Sequence, residues 1–473
     1  MKNKNELGVR GEMLTIELNH QSKEPFYEQI YKYIRDEIKS GMLRKQTKLP
    51  SSRGLASYLS ISRNTVDMAY SQLISEGYIE SVPKKGYYVC ELEQEFSKIP
   101  LEDDWVEEIE EEEHYMVDFS PNGVDMENFP YNQWRKLMKE VTITDNSELF
   151  QSGDPQGDLE FRKTIRLYLH QSRGVNCQES QIIVGAGMDY LLLILGMLFD
   201  KTKKIAFEEP VYPQAYQVFR SLGFERESIA LDSQGMVIED LECSGCDIAY
   251  VTPSHQYPTG VVMPISRRLK LLAWANEKEG RYIIEDDYDS EFRYHGRPIP
   301  ALQGNDRKGN VIYLGTFSKG IAPAIRVSYM VLPQSLYKEF KKKCGFYSST
   351  VSRIDQAVIN HFMTKGHFER HLNRMRGIYR SKHDCLVQEL KKFGDKIRIF
   401  GESAGLHLLV QYLGEKTEEE LIQLAKGCGI KVYPLSNYMT EKKTIENPVM
   451  ILGFARLSEE DIKKGISVLI KVW

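Results

Sequence analysis

Between Ile283 and Tyr329 the chain gathers an amine, a carboxylate, a phenol, two hydroxyls and a guanidinium at the ends of two apolar runs. The first run, IIEDDYDSEF, closes on Asp286 and Tyr288. The second, VIYLGTFSKGIAPAIRVSY, starts at Val311 to Leu314 and passes into Thr316, Ser318 and Lys319, with Arg326 seven residues beyond the lysine. Both runs read as buried strands. In a parallel α/β sheet the carboxyl ends of the strands open on one crevice, so loops distant in sequence meet at one ligand.

Those residue types suit one cofactor, pyridoxal phosphate. A Schiff base requires an amine nucleophile, which lysine supplies. The pyridine nitrogen has to stay protonated if the ring is to withdraw electrons, and a carboxylate beside it achieves this. At ~4 Å and an effective dielectric of ~20 such a pair is worth ~4 kcal/mol, which is roughly 3 pKa units. The dianionic phosphate calls for an arginine, hydroxyls and helix-start amides. Arg326, Thr316, Ser318 and the turn Gly185-Ala186-Gly187 offer them.

The segments GTFSKGIAPAIRVSY, EDDYDSEFRY and TPSHQYPTG together resemble the fold-type-I aminotransferases in the form of their MocR branch. The resemblance implies that Lys319 anchors the cofactor covalently, Asp286 partners the pyridinium, Tyr288 lies near the ring 3-oxygen and Arg326 holds the phosphate. It also implies that Tyr212, in EEPVYP, covers the ring. In QIIVGAGMDYLLLILGMLF a strand, a small-residue turn and an apolar helix match the family's turn, which implies cofactor contacts at Ala186 and Gly187.

Three departures from the family pattern bear on function. Ordinary aminotransferases often carry an asparagine before Pro-Thr-Gly to bond the ring 3-oxygen; Tyr257 stands there, preceded by His255 and Gln256, and His255 is the expected replacement contact. The arginine that holds a substrate carboxylate is replaced in ILGFARL by apolar Ile451, with Arg456 five residues later. In the branch member that responds to γ-aminobutyrate an arginine lies two residues after the ring-covering tyrosine, where this chain has Gln214. A carboxylate clamp is missing where it is expected, which argues against that effector.

The elements that must position these groups follow from the rest of the chain. At 473 residues it is too long for one core, so two or three domains are expected. A hydrophobic fraction of 41% and a charged fraction of 27% are those of a globular protein. The net charge is only -5, so any nucleic-acid role has to come from local charge. MKNKNELGVRGEM has no apolar signal core, and the apolar run from Leu191 to Phe199 is too short to span a bilayer, so no membrane association and a cytoplasmic location are expected. Of seven scattered cysteines only Cys243 and Cys246 form a CxxC, a weak signal without a second pair. The cysteines are expected to be reduced and structural, with no bound metal.

Pro25 to Cys90 reads as a small domain. Phe26, Ile30, Tyr33, Ile34 and Ile38 fall at helical spacing before Gly41; a second helix starts at Pro50-Ser51-Ser52; a third follows Ser62 with Val66, Ala69, Tyr70, Leu73 and Ile74 on its buried face. YIESVPKKGYYV then reads as a two-stranded hairpin turning at Lys84-Lys85-Gly86. Helix, turn, helix and basic-tipped hairpin make a winged helix-turn-helix. LPSSRGLASYLSISRNTVDMAYSQLISEGYIES resembles the GntR signature, which implies contacts with double-stranded DNA from Arg53, Arg63, Asn64, Thr65, Lys85 and Gly86. Arg63 reaches phosphate or guanine, and Asn64 and Thr65 reach base edges. Residues 1 to 90 hold 14 Lys/Arg against 10 Asp/Glu, so this is the relatively basic end. Asp67 departs from relatives that have a basic residue there.

Residues 91 to 113 carry twelve Asp or Glu among 23 positions, with Lys98 the one basic residue. Such a block repels itself and reads as an exposed linker. After it, strands alternate with helical stretches in KIAFEEPVYP, DIAYVTPSHQYPTG, RYIIEDDYD, NVIYLGTFSKG and VSYMVLP, the pattern of a two-sided, mostly parallel sheet. A helix in LFQSGDPQGDLEFRKTIRLYLHQSRG is expected to carry Leu159, Ile165, Leu167 and Leu169.

The expected fold class is therefore α/β. A winged helix occupies residues 14–90 and an acidic linker 91–116. A fold-type-I transferase domain occupies 117–473, with a small α+β carboxyl-terminal part. The resemblance implies a homodimeric transcription regulator that senses an amine, an amino acid or pyridoxal phosphate itself; a working aminotransferase with an appended DNA module is the alternative.

Overall fold

The computed structural model describes residues 16–91, 114–143, 147–294, 298–402, 404–440 and 447–473. Most of the acidic stretch expected as a linker lies outside the described residues. The chain divides into two compact units, Met1–Glu111 and Glu112–Trp473. Among the described residues no helix is long and apolar enough to cross a membrane.

In the first unit three helices, Phe26–Lys39, Ser52–Leu59 and Arg63–Ser75, pack on a three-stranded sheet. Ile30, Ile34 and Ile38 recur every fourth residue and are buried, which gives the first helix one apolar face. Ser51 caps the second helix by accepting from Gly54 N–H, and Ser62 caps the third by accepting from Thr65 N–H. Ser60, in the left-handed region, turns the chain between them. The hairpin strands Ile79–Val82 and Gly86–Val89 are joined by Lys48–Leu49, which pairs with Gly86–Val89 to make a third strand beyond the two expected. Ile74, expected on the buried face of the third helix, is 38% exposed. Leu73 takes the inward position, and the residue after it falls a third of a turn away.

The second unit is built on an eight-stranded sheet. Its order is Ile182–Gly185, Ser328–Val331, Val311–Thr316, Tyr282–Asp287, Ile248–Val251, Lys204–Glu209, Glu225–Asp232 and Gly235–Met236. The five strands from Val311–Thr316 to Glu225–Asp232 pair in parallel, while Ser328–Val331 runs antiparallel to both its neighbours. The return from Thr316 to Ser328 is too short to hold a crossover helix, so the chain can only reverse there. Strand Glu225–Asp232 had no signal in the sequence. It lies next to the edge, its burial alternates weakly, and Glu225, Arg226 and Glu227 disguise it.

Along Tyr282–Asp287 the side chains alternate between faces. Ile284 joins Phe207, Tyr250, Ile312 and Leu314 in one core, and Ile283 joins Ala249, Val251, Leu302 and Val311 in another. Burying each such aliphatic side chain is worth ~1.5–3 kcal/mol. The helix Leu159–Arg173 buries Phe161, Ile165 and Leu169. Leu159 and Leu167, expected with them, are 47% and 56% exposed, because they stand on the opposite side of the same helix. A smaller four-stranded antiparallel sheet, Ile397–Phe400, His407–Tyr412, Val449–Gly453 and Tyr433–Pro434, forms the carboxyl-terminal part with helices His367–Leu390 and Glu459–Val472.

Arg173, at the end of Leu159–Arg173, ties this helix to the sheet. It donates to Asp287 at 2.7 Å, to Ser254 Oγ at 2.8 Å and to Ile299 O, and both charged side chains are almost fully enclosed. Breaking a buried pair by removing one partner leaves the other charge uncompensated and costs ~3–5 kcal/mol. Arg173→Leu is therefore expected to lower the urea midpoint of the large unit's unfolding, while the first unit's transition stays in place.

Candidate cofactor site and nucleic-acid interface

The strand ends that the sequence brought to attention meet at a cavity of about 300 Å³. Its wall includes Tyr212, Asp286, Tyr288, Thr316, Ser318, Lys319 and Arg326. Asn122, Gln214, Thr252 and Tyr257 also line it. Ala186, Gly187 and His255 are not part of that lining.

Asp286 is the penultimate residue of the strand Tyr282–Asp287 and shares the face of Ile284. Its Oδ2 accepts from Tyr250 OH at 2.5 Å, while Oδ1 is buried without a partner. Burial pushes this carboxyl up to about 7, against the Tyr250 hydrogen bond, and the neighbouring Asp287 and Asp289 add to the rise. An open, desolvated carboxylate oxygen at the cavity wall wants a cationic N–H donor.

Lys319 follows the strand Val311–Thr316. It is half-buried, and its Nζ donates to Pro121 O at 3.4 Å, a weak contact that leaves the amine available. Desolvation pulls the amine down to about 8, with Asp289 opposing the fall. The loop is set by Thr316, whose Oγ1 accepts from Ser318 N–H at 3.1 Å and from Ser328 Oγ at 2.9 Å. Tyr288 has its phenol raised by burial first and by Asp289 next. Its oxygen is 2.8 Å from His255 Nδ1, which is also 3.0 Å from Asp289 Oδ2. His255, expected as a cofactor contact, therefore stands behind Tyr288 and not at the cavity. Gly405, at a positive φ, presses on its ring, and a Cβ there would fall 2.0 Å from Cε1.

At the other end Arg326, in the left-handed region with φ 52°, donates to Asp189 Oδ2 at 2.9 Å. Gly187 precedes the helix Met188–Leu198, whose first turn has no side-chain cap. A Cβ on Gly187 would lie 2.6 Å from Arg326 Nη2, so only glycine lets the guanidinium reach the helix start. Ala186 N–H is already engaged by Thr350 Oγ1 at 3.0 Å and is not free for a ligand. Tyr212 donates to Gln214 Oε1 at 2.8 Å and packs edge-on against Tyr257.

These residues fit pyridoxal phosphate. The cavity has an amine that burial has made easier to deprotonate, an orphaned buried carboxylate oxygen, a phenol, and a guanidinium at an open helix start. Among the described residues Arg326 is the one arginine on the lining. Ile451 is buried in its strand, and Arg456 lies over Gly123 and pairs with Asp118 at 3.3 Å. Sequence reasoning missed Asn122, Thr252 and Asp289. Thr252 is held by Glu208, whose carboxyl burial pushes up to about 7. Thr252 and Asp289 lie within the segments TPSHQYPTG and EDDYDSEFRY, where the more conspicuous His255, Asp286 and Tyr288 drew the assignment, and Asn122 stands far away in sequence.

In the first unit Arg63 and Asn64 are exposed on the opening turn of Arg63–Ser75, and Arg53 is exposed on Ser52–Leu59. Thr65 is half-buried, with its hydroxyl 2.8 Å from Ser62 Oγ. Arg63 Nε lies 3.2 Å from Asp67 Oδ2, so the departure at position 67 holds the arginine along its own helix. Such exposed pairs are worth ~0–1 kcal/mol and yield readily to a phosphate. Lys85 is exposed at the hairpin turn, and Gly86, at φ 111°, opens the second strand of the hairpin.

Comparison with known proteins adds the following. Residues 115–469 match the model for aminotransferase class I and II, and residues 26–89 match that for bacterial regulatory proteins of the gntR family. YhdI of Bacillus subtilis (strain 168), described as an uncharacterized HTH-type transcriptional regulator, is 40% identical over 461 residues, 96% of this chain and 97% of that one. The probable rhizopine catabolism regulatory protein MocR of Rhizobium meliloti is 31% identical over 468 residues, 96% of this chain and 94% of that one. A kynurenine aminotransferase of Pyrococcus horikoshii, solved in complex with PMP, superposes with a TM-score of 0.68 at 25% identity, covering 75% of this chain and 90% of that one.

The placement of Asp289 generates a test on the protein without cofactor. Labelling of Lys319 by an amine-directed acylating reagent, followed by peptide mass spectrometry, is expected to rise with pH through about 8 and not through the ordinary lysine range. Asp289 favours the charged amine, so Asp289→Asn moves that inflection to lower pH.

Proposed function

Because the chain belongs to the MocR-type transcription regulators, in which a GntR-type DNA-binding module is joined to an aminotransferase class I and II domain, we propose that it switches operator binding through a small molecule met at Lys319. The cofactor of that aminotransferase class is pyridoxal phosphate, which supplies an aldehyde that captures primary amines and a pyridinium ring that withdraws electrons. The observation that carries the reading is that one cavity is lined both by Lys319, with its lowered pKa, and by Asp286, with its unpartnered oxygen.

Each residue has a task. Lys319 offers a nucleophilic amine near neutral pH, because its burial disfavours the ammonium. Asp286 accepts from the ring nitrogen and keeps its proton in place. Tyr288, backed by His255 and Asp289, presents its phenol at the cavity wall. Arg326, Thr316, Ser318 and the helix start after Gly187 would hold the phosphate of the bound cofactor, and Tyr212 would cover its ring. The effector is an amine or an amino acid, or the cofactor itself. The protein acts in the cytoplasm as a homodimer on double-stranded DNA. Two modules then read two half-sites, and a change in their spacing alters affinity. Arg53, Arg63, Asn64, Thr65, Lys85 and Gly86 are the proposed DNA contacts.

A working aminotransferase is the second reading, and the complete cofactor set favours it. Against it, among the described residues no arginine lines the cavity apart from Arg326, which is on the phosphate side. Mixing the loaded protein with amino acids separates the two: a spectral shift without turnover of an added keto acid supports sensing, and sustained turnover supports the enzyme.

Two outcomes follow for variants. Lys319→Ala is expected to abolish both the visible absorbance after loading and the effect of ligand on DNA binding, with basal operator binding kept; retained absorbance sinks the reading. Arg63→Ala is expected to weaken binding to operator fragments and, as a phosphate contact, to lower the log-log salt slope by ~0.9; an unchanged slope with relaxed preference at one base pair makes it a base contact instead.

A further inference from the structure

A second cavity, of about 260 Å³, lies where the carboxyl-terminal part meets the large sheet. From the large sheet come Arg226, on strand Glu225–Asp232, and Tyr216, Gln217 and Arg220, on helix Pro213–Ser221. From the carboxyl-terminal part come Asn437 and Thr440. Thr440 is fixed at the seam, because its hydroxyl is 2.9 Å from Ser228 Oγ and its N–H donates to Glu209 Oε1 at 2.8 Å.

Arg226 is the unusual member. Its guanidinium stacks over the Tyr216 ring at 4.3 Å, and Nε and Nη1 are enclosed without a hydrogen-bond partner among the described residues. Two of its nitrogens have thus lost water with no ion-pair partner among the described residues in exchange. Arg220, exposed on the last turn of its helix, adds a second cation to the same space. Amide side chains at Gln217 and Asn437 can donate alongside them. Planar cations with neighbouring amide donors match an oxyanion.

We propose that this cavity is an anion site, separate from the one at Lys319, for a small metabolite bearing a carboxylate or a phosphate. The two cavities share a wall. Val211 and Pro213 face the second, while Tyr212 and Gln214 face the first. Val211 N–H also donates to Tyr438 O at 2.8 Å, and Tyr438 OH is 3.4 Å from the OH of Tyr257, which lines the first cavity. An anion bridging Arg226 and Asn437 would therefore clamp the carboxyl-terminal part to the sheet beside the residue that covers the first cavity.

The test is calorimetric titration of the full-length protein, loaded with cofactor so that the phosphate-receiving groups around Arg326 are occupied, with inorganic phosphate and, in separate runs, with succinate, at constant low ionic strength. Saturable binding of one or both is expected, and which one binds identifies the anion class. Arg226→Met and Arg220→Gln are each expected to weaken it at least tenfold, with visible absorbance after cofactor loading unchanged. Arg63→Ala is expected to leave it unchanged. No saturable binding to the wild type overturns the proposal, as does full binding by Arg220→Gln, which alters an exposed side chain and so keeps the test alive should Arg226→Met fail to fold. Loss of binding in Arg63→Ala alone places the anion on the DNA module and overturns it equally. Because neither probe needs Lys319, failure here leaves the cofactor reading standing, and failure of loading leaves this site standing.

Discussion

Four carboxylates, Glu285, Asp286, Asp287 and Asp289, lie buried at one strand end, and the large unit is arranged around keeping them apart. Alternation along the strand does the first sorting. Glu285 and Asp287 turn to one face, where Glu285 accepts from Leu302 and Gln303 N–H and Asp287 takes Arg173 and Tyr313 OH. Asp286 turns to the other with a single phenol for company, and Asp289 reaches His255. Like charges this close resist ionising together, so burial and mutual repulsion raise the carboxyls of Glu285 and Asp286 to about 7. Asp286 and Asp287 each keep one buried oxygen without a hydrogen-bond partner, and of the two it is Asp286 that lines the cavity.

The same logic sets Lys319. A lysine on a solvated loop stays charged at neutral pH, whereas this one is desolvated and has Asp289 as its main nearby anion. The phenol of Tyr288 shares that anion through His255. The amine and the phenol thus both feel one carboxylate, and the imidazole bridges that carboxylate to the phenol.

The sequence carried the chemistry better than the architecture. Lys319, Asp286, Tyr288, Thr316, Ser318, Arg326 and Tyr212 were legible because each follows an apolar run and belongs to a motif, and the structure brings all seven to one cavity. The five motif-bearing strands were legible for the same reason. Strand Glu225–Asp232 was not, since a strand beside the edge with charged residues has no buried-strand signature. Ile74, Leu159 and Leu167 mislead because a helix with several adjacent leucines or isoleucines cannot bury them all. His255 lies within two residues of a cavity residue, yet spacing alone does not tell a side chain at the wall from one a layer behind; the glycine at 405 that makes room for it is about 150 residues away in sequence.

The pair formed by Arg326 and Asp189 has a consequence for selectivity. The guanidinium at the helix start is not bare, because it already holds a resident counter-ion. An anion that takes the remaining guanidinium N–H groups meets this carboxylate at close range, and one that takes over Nη2 exchanges with it, the aspartate turning toward solvent, where it is already partly exposed. Swapping one single charge for another changes the local field little, while a doubly charged group leaves the mouth of the cavity more negative than before and strengthens its hold on the guanidinium and the helix amides. The crevice thereby grades incoming groups by valence before shape is consulted.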